Sequence, residues 1–134
     1  MDESSRLYSR AVLEHFKNPR NAGALENPTA QVEMTNPACG DVMQLGLQVV
    51  DGKIVAARFK TVGCVAAIAC GSILTEMISG RNVTDVSRLT DREIAAALGG
   101  LPPATAHGSQ LAADALRAVL AKLPAEIRDR QGTA

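Results

Sequence analysis

The chain has 134 residues, a length that allows one domain, and its 14 basic residues balance 14 acidic ones, which argues against a nucleic-acid-binding or membrane-surface protein. Aromatic residues make up only 2% of the chain and hydrophobic residues 46%, so the core must be built from aliphatic and small side chains. The apolar runs are too short to span a membrane and the polar N-terminus is not a signal peptide, which predicts a cytoplasmic protein.

The first predicted element is a helix over residues 5–17. Apolar residues recur there at nearly helical spacing, Ser4 or Ser5 can serve as the N-cap, and Pro19 stops the pattern. Residues 21–28 are rich in Asn, Gly and Pro and therefore predict a connecting loop.

An antiparallel sheet is predicted next. Apolar residues alternate with polar or small ones over 43–49, as in a half-buried strand, and Asp51-Gly52 is a signal for a tight turn. A hairpin therefore joins this strand to a second one over residues 53–60. Residues 31–35 alternate in the same way and predict a third strand beside it.

Three helices are predicted after the sheet, and together the elements make a single domain over 1–124 with a short, frayed tail over 125–134. The second helix ends at a glycine, the third begins with a capping box, and the last carries an apolar stripe that a proline ends. The second helix covers Val65–Ser79 and ends at Gly80. The third starts at the capping box of Thr90 and Glu93 and runs through Leu98. The last carries its apolar stripe over Leu111–Leu123 and ends at Pro124.

An odd number of cysteines in a chain without a secretion signal points to thiol or metal chemistry rather than to disulfides. Cys39 and Asp41 lie two residues apart in a turn that Pro37 and Gly40 favour, which makes them a candidate ligand pair. The alternative explains the same residues equally well: the segment is a structural turn, and its cysteine is buried there without any ligand role.

Cys64 follows Gly63 at the junction of strand and helix. Free backbone N–H groups and the helix dipole stabilise a thiolate at such a position, so we expect a lowered pKa and a reactive sulfur, with a small structural residue as the alternative. Cys70 lies six residues further on, about 120° around and about 9 Å along a helix, so we expect it to fill the core rather than to share a metal with Cys64.

His107 stands close to the start of the last helix, where a neutral imidazole can bind a metal, whereas His15 is expected to have a surface or packing role. Cys39, Asp41, Cys64 and His107 together offer two sulfurs, one oxygen and one nitrogen, a set that suits zinc, iron or an iron–sulfur cluster. Spacing alone does not choose among these.

At these residues the sequence resembles the IscU/NifU-type iron–sulfur cluster assembly scaffolds, from Tyr8 to about Lys122. Four stretches carry the resemblance and are hard to obtain together by chance. They are His15–Asn21, Pro37–Met43, Phe59–Cys64 with Ala67–Ala69, and Leu101–Pro103 leading to His107 and Leu111–Ala112.

The resemblance implies an α+β fold in which helices pack on a small three-stranded antiparallel sheet. It implies a non-enzymatic scaffold that receives sulfur from a cysteine desulfurase, combines it with iron into a labile [2Fe–2S] cluster, and passes the cluster to recipient apo-proteins. Cys39, Asp41, Cys64 and His107 take the positions that bind the cluster or metal in this family, and Tyr8 matches a family tyrosine.

The sequence departs from the family pattern at two places. The family has a third cysteine directly after the histidine, a ligand and sulfur acceptor, and here that residue is Gly108. The stretch that binds an Hsp70-type chaperone in the family lacks its lysine, because the chain reads Ala104-Thr105 after the two prolines. Sulfur acceptance, replacement of the missing thiol by Cys70, and an Hsp70-type partner therefore stay open.

The absence of a side chain at Gly108 leaves a second function in competition with cluster assembly. This is a zinc- or iron-binding paralogue that regulates or buffers assembly without building clusters. A thiol enzyme with Cys64 as nucleophile and His107 as base has the right residue types but no supporting signature.

Overall fold

A computed structural model describes residues 8–129, and its centre is an antiparallel sheet in the order β1-β2-β3. The strands are β1 (Ala30–Thr35), β2 (Val42–Val50) and β3 (Lys53–Val62). Asp51 and Gly52 both have positive φ, 52° and 78°, as the tight turn of a hairpin requires. The three predicted strands are confirmed, and each extends one or two residues beyond its predicted bounds.

The sheet buries one face under helices. Along β2, Met43, Leu45 and Leu47 are fully buried, and a bulge follows between Gln48 and Val49. The alternation of apolar and polar residues in the sequence therefore marks the face that the helices cover.

One helix packs directly on this face, and the N-terminal helix packs on that helix. The longer one that follows the sheet, α2 (Val65–Ile78), contacts β3, and its buried residues lie on most of its sides, as expected of a helix enclosed within a domain. The N-terminal helix, α1 (Arg10–Lys17), packs on α2. Its N-cap is Ser9, whose side chain accepts a hydrogen bond from the Val12 N–H at 3.0 Å, so the predicted start at residue 5 is wrong. Ser4 and Ser5 lie outside the described residues.

The C-terminal part completes the helical layer. The capping box of Thr90 and Glu93 is present at α4 (Asp91–Ala97), as predicted. After a single 3₁₀ turn (Pro103–Thr105), helix α5 (His107–Ala121) contacts β1, β2 and α2. No helix within residues 8–129 combines the length and the apolar composition that a membrane crossing needs.

Two short helices were not predicted. One is α3 (Val83–Val86), which is too short to show periodicity in the sequence. The other is α6 (Ala125–Asp129), where a frayed tail was predicted. Its Ile127 packs against the core, so the tail prediction is wrong for residues 125–129, and residues 130–134 lie outside the described part of the chain.

Candidate functional site

Asp41 and Cys64 meet at the end of the sheet where β2 begins and α2 starts. Cys64 is the N-cap of α2, and its Sγ accepts a hydrogen bond from the Ala67 N–H at 3.4 Å. The Cys64 N–H donates to Asp41 Oδ2 at 3.2 Å. A thiol and a carboxylate that are 23 residues apart in the chain are thus neighbours in space.

Gly63 makes this contact possible because it has no side chain. A Cβ at this position would lie 2.5 Å from Asp41 Cγ and 2.8 Å from Asp41 Oδ2, closer than such atoms approach. The carboxylate of Asp41 therefore occupies the space that any other residue at position 63 would fill. Neither the contact nor this need for glycine was predicted from the sequence.

The pKa of the Cys64 thiol is raised, which contradicts the predicted lowering. Burial is the largest cause, and the hydrogen bond and negative charge of Asp41 raise the pKa further. The N–H groups of Ala67 and Ala66 lower it, as expected at a helix start, but they do not outweigh burial and Asp41. A raised pKa does not favour the thiol enzyme in which Cys64 is the nucleophile, because such a nucleophile is activated by a lowered pKa.

Cys39 is exposed in the loop between β1 and β2, two residues before Asp41. The loop between strands was predicted, and the structure gives this thiol the greatest access to solvent among the chain's cysteines. Cys39 is therefore the thiol that a large partner can reach.

His107 is the first residue of α5 and is half-buried. Its neighbour Gly108 packs on the first turn of α2, because a Cβ at Gly108 would lie 3.1 Å from backbone atoms of Ala66 and Ala67. His107 therefore adjoins the helix turn that Cys64 caps, and this close packing of two backbones was not predicted.

The donors lie at one end of the domain but are not assembled into a binding site. Within residues 8–129, no three histidine, cysteine, aspartate or glutamate side chains stand close enough together to hold one metal ion. The structure brings Asp41 to Cys64 and leaves Cys39 and His107 in neighbouring segments.

Tyr8 lies near Cys64 and is hydrogen-bonded to Thr105. Burial raises the pKa of the Tyr8 hydroxyl, the nearby Cys64 raises it further, and a hydrogen bond with Thr105 lowers it in part. Thr105, which stands where the family has a lysine, is thus linked to the segment before α1.

Cys70 is fully buried in the core, as predicted. Burial, with a smaller contribution from Cys64, raises the pKa of its thiol to about 12. Cys70 is therefore neutral at physiological pH, and its burial favours core filling over replacement of the missing cysteine.

The stretch His15–Asn21 proves to be a clamp between α1 and α2. His15 Nδ1 lies 2.7 Å from Ser72 Oγ, which also accepts the Arg20 N–H at 2.8 Å. The Asn21 side chain donates to Thr75 Oγ1 at 3.1 Å. The packing role predicted for His15 is confirmed, and a conspicuous motif is explained by structure rather than by ligand binding.

We expect this clamp to weaken as the solution becomes acidic. Burial lowers the pKa of His15 and so does the charge of Arg20, while Glu76 and Glu14 oppose them. Because the folded protein favours the neutral imidazole, its stabilising effect is present above the unfolded pKa of about 6.5 and is lost as the pH falls below that value. Urea unfolding at pH 7.5, 6.5 and 5.5 measures this loss.

The matched variant for this experiment is His15→Gln, which keeps a polar side chain near Ser72 but does not titrate. Its free energy of unfolding should fall less between pH 6.5 and pH 5.5 than that of the wild-type protein. Equal losses in the two proteins would show that the titration of His15 does not control this region of the pH profile.

The fold is that of a small α+β domain in which a cysteine and a carboxylate meet at one end of the sheet. The family model described as the NifU-like N terminal domain matches residues 7–129. The chain belongs to this family, which confirms the resemblance found in its sequence.

Two relatives illustrate the similarity. The chain is 45% identical over 111 residues to "Iron-sulfur cluster assembly scaffold protein IscU 1" of Archaeoglobus fulgidus, covering 83% of this chain and 72% of the relative. It is 42% identical over 123 residues to the IscU scaffold protein of Haemophilus influenzae, covering 89% and 97%. A third relative, from Drosophila melanogaster, is named an assembly enzyme.

Solved structures confirm the fold. The N-terminal NifU-like protein of Brucella abortus superposes with a TM-score of 0.59 at 17% identity, covering 99% of this chain and 92% of that one. The putative SufU scaffold of Fervidobacterium islandicum gives a TM-score of 0.60 at 19% identity, covering 94% and 91%. The predicted α+β class with a three-stranded antiparallel sheet is therefore confirmed.

Proposed function

We propose that the chain is an iron–sulfur cluster assembly scaffold or carrier that holds a labile [2Fe–2S] cluster and passes it to apo-proteins. The observation that carries this proposal is the contact of the Asp41 carboxylate with Cys64 at the start of α2. The printed names of relatives that match most of the chain support the same function. The cluster is cargo rather than a resident cofactor, and a cytoplasmic location remains a prediction.

The residues present suit this cargo chemically. Thiolates are the preferred ligands of iron–sulfur clusters, imidazole replaces them at some sites, and carboxylate binds the cluster iron more weakly. Cys39 and Cys64 provide the sulfurs, with His107 and Asp41 as the nitrogen and oxygen donors. Such a site favours release over permanent storage.

The partners follow from the same proposal. A cysteine desulfurase supplies the sulfur, and the exposed Cys39 is the thiol that such a large donor can approach. Recipient apo-proteins take the finished cluster. Thr105 replaces the family lysine and is engaged with Tyr8, so the chain offers less support for an Hsp70-type chaperone.

Gly108 favours one alternative function, a zinc- or iron-binding paralogue that regulates or buffers assembly. The residue has no side chain to accept sulfur, and a Cβ there would crowd the backbone of α2. Two thiols, one imidazole and one carboxylate also match the ligands that zinc accepts.

Anaerobic reconstitution separates the two functions. The protein is incubated with Fe²⁺, cysteine, a cysteine desulfurase and excess dithiothreitol, the reductant that converts persulfide sulfur to sulfide. Iron, sulfide, zinc and visible absorbance are then measured for each chain. A scaffold yields equal iron and sulfide and transfers both to an apo-ferredoxin. Retention of zinc or iron without sulfide supports the alternative and contradicts cluster assembly.

We expect Asp41→Ala to lengthen the lifetime of a bound cluster severalfold. The change removes a hard oxygen donor, which is a poor match for the cluster, and it removes the negative charge that raises the pKa of Cys64. Cys64 can then bind iron as a thiolate at lower cost. Absorbance decay after addition of a chelator under anaerobic conditions measures the lifetime.

The matched control for this experiment is Asp85→Ala, which removes an exposed carboxylate in α3. Its cluster should decay at the wild-type rate. A lifetime in Asp41→Ala that is unchanged or shorter would contradict the role assigned to the carboxylate.

A further inference from the structure

Asn36 is a buried polar residue at the point where β1 ends and the loop of Cys39 begins. Only 7% of its surface is exposed, although it precedes a loop whose next four residues are all exposed. Its Oδ1 accepts the N–H of Ala38 at 2.9 Å and the N–H of Cys39 at 3.3 Å. One side-chain oxygen thus holds the backbone of the ligand cysteine itself.

The backbone of Asn36 closes the same loop from its other end. The Asn36 N–H donates to the carbonyl oxygen of Asp41 at 2.9 Å, and the Gly40 N–H donates to the carbonyl oxygen of Asn36 at 2.8 Å. Gly40 allows this closure with a φ of 77°. Asn36 therefore bonds to the segment of each proposed loop ligand, Cys39 and Asp41.

These bonds matter because the Cys39 loop has little other support. Its residues are exposed, so packing does not determine where the Sγ of Cys39 points. Asp41 is held separately by its contact with Cys64. Beside the two backbone bonds that close the loop, the side chain of Asn36 is the restraint that acts on the N–H of Cys39 itself.

We propose that Asn36 is a positioning residue that presents Cys39, together with Asp41 and Cys64, to the iron of the cluster that the chain holds. It does not touch the cargo and acts through two N–H groups of the loop. This inference rests on the proposed function, and it predicts that loss of the side-chain oxygen weakens ligation by Cys39 while the rest of the site stays intact.

The test compares three variants with the wild-type protein, using Co²⁺ alone as the probe of thiolate ligation. Asn36→Ala removes the oxygen, Asn36→Asp keeps an acceptor in the same place, and Asn27→Ala is the matched control at an exposed asparagine. We expect the affinity for Co²⁺ to fall about 10–100-fold in Asn36→Ala, as for other residues that orient metal ligands. Asn36→Asp should keep most of the wild-type affinity for Co²⁺, and Asn27→Ala should bind Co²⁺ as tightly as the wild-type protein does.

A second readout needs no metal. The amide hydrogens of Ala38 and Cys39, followed by NMR hydrogen exchange, should lose their protection in Asn36→Ala and keep it in Asn36→Asp. The thermal midpoint of each variant shows whether a change is local or global. A structural role alone would lower stability without separating the Ala variant from the Asp variant in Co²⁺ affinity.

Wild-type affinity for Co²⁺ in a folded Asn36→Ala variant would overturn the proposal. If that variant does not fold, Asn36→Ser replaces it, and the proposal then requires weaker Co²⁺ binding by the Ser variant than by the Asp variant. If the wild-type protein binds no Co²⁺, or if Cys39→Ser binds as well as wild type, the proposed function fails instead. The exchange of the Cys39 amide then decides by itself whether Asn36 holds the loop.

Discussion

Replacing Cys39 and Cys64 together with serine is expected to abolish most binding of the iron–sulfur cluster. Both thiols lie at the end of the domain where Asp41 and α2 meet, and both are sulfurs that the cluster prefers. A serine hydroxyl keeps the size of the side chain but is a poor ligand for iron. Iron and sulfide for each chain after anaerobic reconstitution measure the loss.

The control for this prediction is Cys70→Ala, in which alanine avoids burying a hydroxyl in the core. Cys70 is fully buried with a pKa of about 12, so this variant should keep the wild-type content of iron and sulfide. Full cluster content in the double serine variant would show that the site has been assigned to the wrong residues. Loss of the cluster in folded Cys70→Ala would show that Cys70 replaces the missing third cysteine.

Gly108→Cys is expected to raise cluster yield at the cost of stability. A thiol beside His107 restores the ligand and sulfur acceptor that the family pattern has at this position. The sequence alone predicts a gain without harm to the fold, but the Cβ would lie 3.1 Å from the backbone of Ala66 and Ala67. Because both neighbours are helix backbone, α2 and α5 must separate slightly, which costs about 1–3 kcal/mol.

Gly108→Ala is the matched control, since it adds the same Cβ without the sulfur. Both variants should lower the free energy of unfolding by similar amounts in urea titrations, and only Gly108→Cys should gain sulfide from the desulfurase reaction. Equal sulfide in the wild-type protein and in folded Gly108→Cys would indicate either that Cys70 already supplies the missing thiol or that the chain is not an assembly scaffold. Adding Cys70→Ser to the comparison tells these two explanations apart. Unchanged stability in Gly108→Ala would show that the two helices separate freely.

The sequence determined the secondary structure wherever short-range interactions decide it. Alternation along 43–49 predicted β2, Asp51-Gly52 predicted the hairpin turn, and Thr90 with Glu93 predicted the start of α4. These signals depend on backbone dihedrals and on bonds between residues a few positions apart.

The same reasoning fails where the chain offers several local solutions. Ser4, Ser5 and Ser9 are all suitable N-caps for the first helix, and the side chain of Ser9 also donates to the carbonyl oxygen of Leu98, far away in the chain. Likewise, α6 forms beside a core that its Ile127 helps to cover. Contacts with distant segments select among these options, so a local pattern cannot.

The candidate site, too, was predicted from the sequence only in part. Its donor types follow from the sequence and from the family resemblance, which named Cys39, Asp41, Cys64 and His107. The tertiary structure decided that Asp41 reaches Cys64, that Gly63 must be a glycine for it to do so, and that the pKa of Cys64 rises.

The physical reason is that the pKa of a group, and the distance to which a neighbour can approach it, depend on all the atoms that surround it. The helix start by itself predicts a lowered pKa for Cys64, but burial and a carboxylate 23 residues away reverse the sign. Asn36 gave no chemical signal in the sequence, because its importance lies in two N–H groups that the folded loop turns toward it. The sequence thus determined which atoms are available, and the fold decided which of them meet and in what state of protonation.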